Sequence, residues 1–219
     1  TEHNVECQRV LRILKNSKNL FFKIYMYIQY KKLYNFEKTT CPKFDICITV
    51  SKNDLNTLKK MSSETKIIVI PNGVDTTYFQ PNPCEPEPNS LIWVGGMRDI
   101  YNREAVDFFC NEIFPEINKK NRDVKFIAIG DYPPKSLINL SKEHKNIKVL
   151  GYVEDVRPFI HSASLFIAPL KSGGGTKFKV LNALAMGKPV ITTTVGAEGI
   201  EFTVTEVVPA GWVATTPIT

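Results

Sequence analysis

One segment decides the fold, Gly173-Gly-Gly-Thr-Lys-Phe-Lys-Val-Leu-Asn-Ala-Leu-Ala-Met-Gly-Lys-Pro-Val-Ile-Thr-Thr-Thr194. Its three glycines lead into a helix that we predict over Thr176–Met186, with Thr176 as its cap. The helix carries its apolar residues at helical spacing, namely Phe178, Leu181, Leu184 and Ala185. Gly187 and Pro189 then end it, and the β-branched run Pro189–Thr193 predicts a strand. A glycine-rich bend, a helix and a buried strand in succession are typical of α/β proteins.

The segments before this one alternate in the same way. We predict strands at Leu91–Val94, Val124–Ile129, Ile147–Leu150 and Ser164–Ala168. Between them we predict helices at Asn102–Lys120, Pro134–Glu143 and Asp155–His161. This alternation predicts an α/β fold, a parallel sheet with helices on both faces. Such sheets bind ligands in the crevice beyond the carboxyl ends of their strands.

Glycine follows four of these predicted strands in turn, as Gly95-Gly96, Gly130, Gly151 and Gly173-Gly174-Gly175. Bare backbone around one crevice and ordinary tight turns are both consistent with that placement. The last cluster opens a helix, so its N–H groups and the helix dipole could hold a diphosphate. Lys177 and Lys179 add charge in the first turn, where a bound anion would explain them. Arg98 could approach the same phosphates from the neighbouring loop.

Two other phosphate motifs are excluded. Around Gly187-Lys188 the P-loop pattern needs a glycine where the chain has Asn182 and a hydroxyl residue where it has Pro189. The pattern G-x-G-x-x-G fails because Phe178 takes the place of its last glycine. The sequence therefore supports neither a P-loop NTPase nor a nicotinamide dehydrogenase.

The first third of the chain has its own organisation. Its first 40 residues read as helix, Ile46–Val50 and Lys66–Ile70 read as strands, and Ser51 starts a helix with Asp54 as its capping acid. Four prolines then lie between residues 80 and 89 and predict a semi-rigid connector. We place a domain boundary there, giving domains 1–82 and 83–219.

Composition narrows the setting of the 219-residue chain. Its five cysteines are scattered with no C-x-x-C pair, which argues against structural zinc and disulfides and favours a cytoplasmic location. The net charge is +6, but residues 1–60 hold 12 Lys and Arg against 5 Asp and Glu, while residues 61–219 hold 16 against 17. Since a nucleic-acid binder needs its basic residues on the folded binding face, we predict no nucleic-acid partner. The chain begins at Thr1 without a signal-peptide pattern, and we expect it to be a piece of a longer protein.

The basic first segment could touch an acidic membrane surface through residues 20–34. Aromatic residues and lysines interleave there, namely Phe21, Phe22, Tyr25, Tyr27 and Tyr30 with Lys23, Lys31 and Lys32. Two other interpretations stay open: a solvated charged helix face, or a helix packed on the core of the first domain.

Several motifs in order resemble the group 1 (family 4) glycosyltransferases. The segment Gly173–Gly199 resembles their donor-site signature, and Ile70-Pro-Asn-Gly-Val-Asp75 also resembles the sequence of that family. Three further motifs fall where that family has them. They are Gly95-Gly-Met together with Asn102 and Phe114-Pro115, then Gly151-Tyr-Val-Glu-Asp155, and then Ala168-Pro-Leu170. Upstream, Glu2-His-Asn-Val-Glu6 and Thr49-Val-Ser51 resemble the end of its first domain.

The resemblance implies the GT-B fold, two Rossmann-like domains facing across a cleft. The chain would hold the GT-B C-terminal domain plus a partial N-terminal domain. It also implies sugar transfer with retention from a nucleoside-diphosphate sugar to a glycan or lipid-linked acceptor, with no metal and no bound cofactor. Of the site residues, Gly95, Gly96, Arg98, Gly173, Gly174, Gly175, Thr176 and Lys177 would bind the diphosphate and sugar. Val153, Asp155 and Asn182 would meet the nucleoside, and His3 is a candidate catalytic residue, the alternative being a structural histidine.

The chain departs from this pattern at two places. The paired acids Glu-x7-Glu of the family fall at Gly174 and Asn182, and Phe202–Thr219 looks unlike the strand and helices with which the family continues past Gly199. The glycine is shared with one branch of the family, whereas an amide at position 182 would bind ribose hydroxyls more weakly than a carboxylate. The alternative function is therefore a catalytically inactive nucleotide-sugar-binding module that acts in a partner complex. A basic surface-binding scaffold is a third hypothesis, based on charge alone.

Overall fold

The computed structural model of the protein describes residues 5–200. The helices are α1 (Glu6–Asn16), α2 (Leu20–Thr40), α3 (Lys52–Met61), α4 (Ile100–Phe108), α5 (Phe114–Lys120), α6 (Lys135–Glu143), α7 (Arg157–Ser162) and α8 (Phe178–Ala185). The strands are β1 (Cys47–Thr49), β2 (Ile67–Val69), β3 (Glu87–Val94), β4 (Lys125–Ile129), β5 (Ile147–Gly151), β6 (Ala163–Ala168) and β7 (Val190–Thr192). A 3-10 turn at Cys41–Lys43 and a π-helix at Phe109–Ile113 complete these elements.

A five-stranded sheet in the order β5-β4-β3-β6-β7 forms the centre of the fold. All its neighbouring strands pair in parallel, with Leu91 opposite Phe126 on one side and Leu165 on the other. The predicted α/β fold, a parallel sheet with helices on both faces, is confirmed. The order also brings together the carboxyl ends of β3, β4, β5 and β6, as the glycine pattern predicted.

The sheet is buried on both faces because alternate residues of each strand enter different cores. On one face, Trp93 and Phe126 pack with Val106, Phe109 and Phe114 from α4, the π-helix and α5. The other core forms under α7 and α8 and contains Ile92, Phe166, Ile160, Val180 and Ala183. Trp93, Phe126, Ile92 and Phe166 are all fully buried.

The helix predicted over Asn102–Lys120 is interrupted, which corrects the prediction of one continuous helix. A π-helix at Phe109–Ile113 separates α4 from α5, which starts at Phe114. Pro115 lies in the first turn of α5 and has no N–H to donate back to the preceding turn. The extra residue in the π-turn accommodates that missing hydrogen bond.

The first part of the chain forms a separate parallel pair, β1 with β2, flanked by α1, α2 and α3. A charged side chain caps α1: Glu37 Oε1 accepts from the backbone N–H groups of Glu6 at 2.6 Å and Cys7 at 3.3 Å. The predicted cap of α3 is confirmed, since Ser51 Oγ accepts from the N–H of Asp54 at 3.1 Å. This pair and the five-stranded sheet lie on either side of the proline-rich segment, where the domain boundary stays a prediction.

Helix α8 differs from its predicted form in its start and in its buried face. It begins at Phe178 with Lys177 as the preceding residue, and the Thr176 side chain makes no capping hydrogen bond, so the predicted cap is wrong. The left-handed Gly175 (φ 62°) and extended Lys177 delay the start of helical geometry. Val180, Ala183 and Met186 are the buried residues, whereas Phe178 is 55% exposed.

Candidate functional site

The carboxyl ends of β3 and β4 meet with no room for a side chain at Gly130, and the end of β5 is hydrogen-bonded beside them. The N–H of Gly95 donates to Ile129 O at 2.9 Å, and the N–H of Gly130 donates to Gly151 O at 2.8 Å. A Cβ atom at Gly130 would lie 1.8 Å from the carbonyl oxygen of Gly95. Glycine is therefore required sterically where β4 ends beside β3.

A cleft of about 320 Å³ opens at these strand ends. Its lining comes from the segments after β3, β4 and β5, namely Val94, Gly95, Gly96, Ile129, Gly130, Asp131, Tyr152, Val153 and Val156. Three residues singled out in the sequence, Gly95, Gly96 and Val153, thus lie together. Exposed Tyr152, from the predicted motif Gly151–Asp155, stands at the rim and offers an aromatic face.

The loop Gly173–Lys177, which we call the glycine loop, directs its carbonyl oxygens toward cations of the protein. Arg12 donates to Gly173 O at 2.6 Å, and Lys177 Nζ donates to Gly174 O at 2.7 Å and Gly175 O at 2.5 Å. In a trans peptide the next N–H points away from the carbonyl, so the amides of residues 174–176 face the other side. Among residues 5–200, no acceptor contacts any backbone N–H of residues 173–177. Gly173 and Gly175 have φ of 118° and 62°, a conformation that suits glycine.

The glycine loop is mostly buried. Gly173 and Gly175 are buried, and Thr176 and Lys177 are only 8% and 7% exposed. Helix α1 contacts the loop from one side through Arg12, and the turn at Gly199 presses against Thr176. The Thr176 hydroxyl is buried without a hydrogen-bond partner in the described chain.

Lys177 at the end of this loop and Lys179 two residues later are both buried at their ammonium groups, and burial lowers the pKa of both. Lys177 has its pKa lowered to about 8, chiefly by burial, with Glu198 opposing the shift. Lys179 has its pKa lowered to about 7 by burial and by the charge of Lys177. Its ammonium donates to Asn102 Oδ1 at 2.6 Å, lies 4.7 Å from the Trp93 ring centroid and stands next to Gly95. Lys179 therefore places an amino group with a pKa of about 7 at the carboxyl end of β3.

The remaining predicted residues lie in different places. Arg98 is exposed and stacks on Tyr132, with its guanidinium 4.2 Å from the ring centroid. Asp155 accepts from the Arg157 guanidinium at 2.8 Å and lines a separate hollow near the linker, not the cleft at Gly95. Asn182 is half-buried in the second turn of α8. His3 lies outside the described residues.

Other parts of the described surface are weaker candidates for the functional site. A hollow of about 700 Å³ lies at the amino ends of β3, β4 and β5, away from the ends where parallel α/β sheets bind ligands. Within residues 5–200, no three His, Cys, Asp or Glu side chains are grouped so as to hold a metal ion. The absence of a metal from the reaction stays a prediction.

Comparison with known proteins decides the family. The model of the family "Glycosyl transferases group 1" matches residues 88–215, more than half of the chain. The chain belongs to the group 1 glycosyltransferases. The match extends past Gly199 to residue 215.

Curated relatives of this group 1 glycosyltransferase are longer than the chain. An uncharacterized 44.6 kDa protein in the cps region of Klebsiella pneumoniae is 22% identical over 90% of this chain and 51% of its own length. One subunit of the phosphatidylinositol N-acetylglucosaminyltransferase of Homo sapiens is 27% identical over 69% of this chain and 32% of its own. The chain thus spans about half or less of these relatives.

Solved structures show that the fold is GT-B. The pneumococcal O-GlcNAc transferase GtfA, solved with UDP and GlcNAc, aligns with a TM-score of 0.62 at 18% identity. That alignment covers 75% of this chain and 33% of GtfA. The α/β fold expected of a GT-B glycosyltransferase is therefore confirmed.

Sequence reasoning missed the side chains that hold the residues of this candidate site in place. Arg12 and Glu198 are joined at the glycine loop although they are 186 residues apart in the chain. Asn102 was noted only as part of a motif, yet it bonds both Lys179 and the carbonyl of Gly96. Pattern reasoning detects local periodicity, and nothing local marks a pair so distant in sequence.

Proposed function

We propose that this group 1 glycosyltransferase transfers a sugar, with retention of configuration, from a nucleoside-diphosphate sugar to a glycan or lipid-linked acceptor. The observation that carries the proposal is the row of N–H groups of residues 173–177 that have no acceptor in the described chain. Buried amides without partners are rare and costly, which makes them candidates for binding an anion. Gly173, Gly174, Gly175, Thr176 and Lys177 would hold the diphosphate, with Gly95 and Gly96 across from them.

The proposed chemistry depends on the leaving group. As the sugar–phosphate bond breaks, negative charge grows on the departing diphosphate, and fixed N–H dipoles stabilise it in a water-poor site. Lys179, at the end of β3 beside Gly95, supplies positive charge there. A carboxylic acid is not required to protonate a diphosphate leaving group, so no carboxylate pair of the glycosidase type is needed.

The nucleoside would lie in the cleft of about 320 Å³, because this cleft shares Gly95 and Gly96 with the diphosphate path. Val153 and exposed Tyr152 would contact the base, and Asn182 the ribose. Asp155 would lie at the edge of the nucleoside site, with its carboxylate held by a hydrogen bond from Arg157. The UDP complex of GtfA supports a uridine nucleotide as the first candidate.

The test begins with binding. Saturation-transfer NMR with UDP-, GDP- and ADP-sugars should give transfer to the base protons of one nucleotide, and slow donor hydrolysis should follow on incubation. A chain that binds none of the three would contradict the proposal. EDTA should leave hydrolysis unchanged, because we propose a reaction without metal or bound cofactor.

A second function is favoured by Asn182. An amide in place of a family carboxylate weakens the hold on the ribose, as expected of a catalytically inactive nucleotide-sugar-binding module in a partner complex. Binding without hydrolysis or transfer, in this chain and in a longer chain that contains it, would favour that function over catalysis.

We also propose a peripheral contact with the cytoplasmic face of a membrane, which would bring a lipid-linked acceptor to the site. No helix within residues 5–200 is long and apolar enough to cross a bilayer. Yet α2 exposes a run of large apolar side chains, namely Leu20, Phe21, Ile24, Tyr25, Tyr27 and Ile28, with Lys23, Lys31 and Lys32 among them. Apolar and basic residues on one helix suit an anionic lipid surface.

The membrane proposal is tested by sedimentation with vesicles of phosphatidylglycerol and phosphatidylcholine. Binding should weaken with salt and should fall strongly in Phe21→Ser, whose side chain is 84% exposed. Phe44→Ser is the matched control, since Phe44 is also exposed but lies outside α2. Equal binding to neutral vesicles, or equal loss in both variants, would contradict the proposal.

A further inference from the structure

Helix α1 reaches from the first part of the chain onto the glycine loop through one arginine. Arg12 Nη1 donates to Glu198 Oε2 at 2.5 Å and Nη2 donates to Glu198 Oε1 at 2.6 Å. The same Nη1 donates to the carbonyl of Gly173 at 2.6 Å. One turn along α1, Asn16 donates to the carbonyl of Lys171 at 3.0 Å. A single helix thus holds both the loop and the carboxylate beside it.

The surroundings of this contact keep the loop in one arrangement. Arg12, Lys177, Asp54 and Glu198 interact electrostatically as two cations and two carboxylates. The Arg12 and Glu198 side chains are 26% and 13% exposed, so their two-pronged pair is mostly shielded from water. Next to Glu198, a Cβ at Gly199 would lie 2.5 Å from Thr176 Oγ1, so this turn and the loop are in close contact.

The direction of the Gly173 peptide depends on this pair. With its carbonyl bound to Arg12, the N–H of Gly174 must point to the opposite side. Lys177, itself part of the loop, donates to the carbonyls of Gly174 and Gly175 and so fixes the direction of these two peptides as well. Arg12 lies outside the loop, and among residues 5–200 it is the only group that donates a hydrogen bond to Gly173 O.

We propose that Arg12 is a positioning residue of the diphosphate site, which holds the glycine loop with its N–H groups turned away from Arg12 and Lys177 and so couples the docking of α1 to donor binding. The inference rests on the proposed function only in naming diphosphate as the ligand; the effect on loop conformation stands by itself. Because such coupling is reciprocal, a bound diphosphate also strengthens the docking of α1.

The test uses the 219-residue chain and the variants Arg12→Met, Arg12→Lys and Glu198→Gln. Arg9→Met is the matched control, because Arg9 lies on the same helix and pairs with its neighbour Glu6 rather than with the loop. Hydrogen exchange of peptides covering residues 173–177 and 6–16 is measured without ligand and with UDP. Calorimetry with UDP, and with GDP, gives the affinity, and circular dichroism checks that each variant folds.

In Arg12→Met and Glu198→Gln we expect the glycine-loop peptide to exchange several-fold faster and the Kd for UDP to rise about tenfold, the effect of losing charge-assisted hydrogen bonds. Arg12→Lys should recover most of the affinity, since its ammonium can donate to the same carbonyl. Binding of UDP should slow exchange of α1 in the wild type and in Arg9→Met, and leave it unchanged in Arg12→Met.

Unchanged loop exchange in both Arg12→Met and Glu198→Gln would overturn the inference. Faster exchange with an unchanged Kd would also overturn it, because Arg12 would then be merely structural. If the wild type binds neither UDP nor GDP, the proposed function fails, and loop exchange alone decides whether Arg12 positions the loop.

Discussion

Lys179 and Asn102, 77 residues apart in the chain, are joined by a hydrogen bond of 2.6 Å from the Lys179 ammonium to the Asn102 amide oxygen. The Asn102 amide nitrogen donates in turn to the carbonyl of Gly96 at 2.8 Å. A Cβ at Gly95 would lie 2.3 Å from Lys179 Nζ. The link therefore fixes a buried cation of α8 against the end of β3, where the proposed diphosphate would lie.

The burial of Lys179 predicts a pH dependence of stability. Its pKa is lowered to about 7 in the folded protein, whereas an unfolded lysine titrates near 10.4. Between these values the unfolded chain binds more protons, so stability rises as the pH rises from about 7 to 10. Urea unfolding of Lys179→Met should lack this gain, by at least about 1 kcal/mol between pH 7 and 9.5. Exposed Lys142→Met is the control, and a parallel pH profile for wild type and Lys179→Met would contradict the prediction.

The same lowered pKa predicts that diphosphate binding takes up protons. At pH 8 Lys179 is mostly neutral, and a nearby phosphate favours its charged form. Calorimetry with UDP in two buffers of different ionisation enthalpy should give an uptake of roughly half a proton. The uptake should be smaller in Lys179→Met, where only Lys177, with its pKa of about 8, still takes up protons. Zero uptake in the wild type would place the phosphates away from this lysine.

The contact of Gly130 with Gly95 predicts an intolerance to any side chain. Gly130→Ala would place Cβ 1.8 Å from Gly95 O, so the ends of β3 and β4 must separate. We expect a loss of about 3 kcal/mol in the free energy of unfolding, and weaker UDP binding. Gly73→Ala is the control, because nothing lies within 4 Å of its Cβ position, and its effect should stay within about 0.5 kcal/mol. Equal stability of the two variants would show that the strand ends can yield.

The sheet was predictable from the sequence because its signals are local. Each strand is a short apolar run, and each connection carries a helix pattern or a turn residue, as at Pro189–Thr193 and Pro134–Glu143. The π-helix at Phe109–Ile113 was not predictable, since the helical pattern continues through it and only Pro115 hints at a break. The buried face of α8 was also missed, because Val180 and Phe178 are both apolar and only packing decides between them.

The site was predictable in part. Residues that follow neighbouring parallel strands lie at the same edge of the sheet. For this reason Gly95 and Gly96 after β3 and Val153 after β5 line one cleft. The cover over the glycine loop was not predictable, because Arg12 and Glu198 meet only in the folded chain. The neighbours of Asp155 and Arg98 likewise depend on Arg157 and Tyr132, whose orientation no spacing rule gives.

Asn182 gives a prediction about affinity. If position 182 meets the ribose, Asn182→Glu replaces neutral hydrogen bonds with charge-assisted ones, which are about twice as strong. The Kd for UDP should fall by about fivefold or more in calorimetry. Asn139→Glu adds the same charge on exposed α6 and should change the Kd less than twofold. No gain, or a loss, in Asn182→Glu would remove residue 182 from the nucleoside site.

The central claim is that the N–H groups of the glycine loop bind a diphosphate, and a titration of the 15N-labelled chain with UDP tests it most directly. Among the backbone amides, those of residues 173–177 should shift furthest, moving downfield as they acquire phosphate acceptors. If these signals stay in place while the largest shifts fall in the hollow around Arg122, Lys125 and Lys145, the account of this site is wrong.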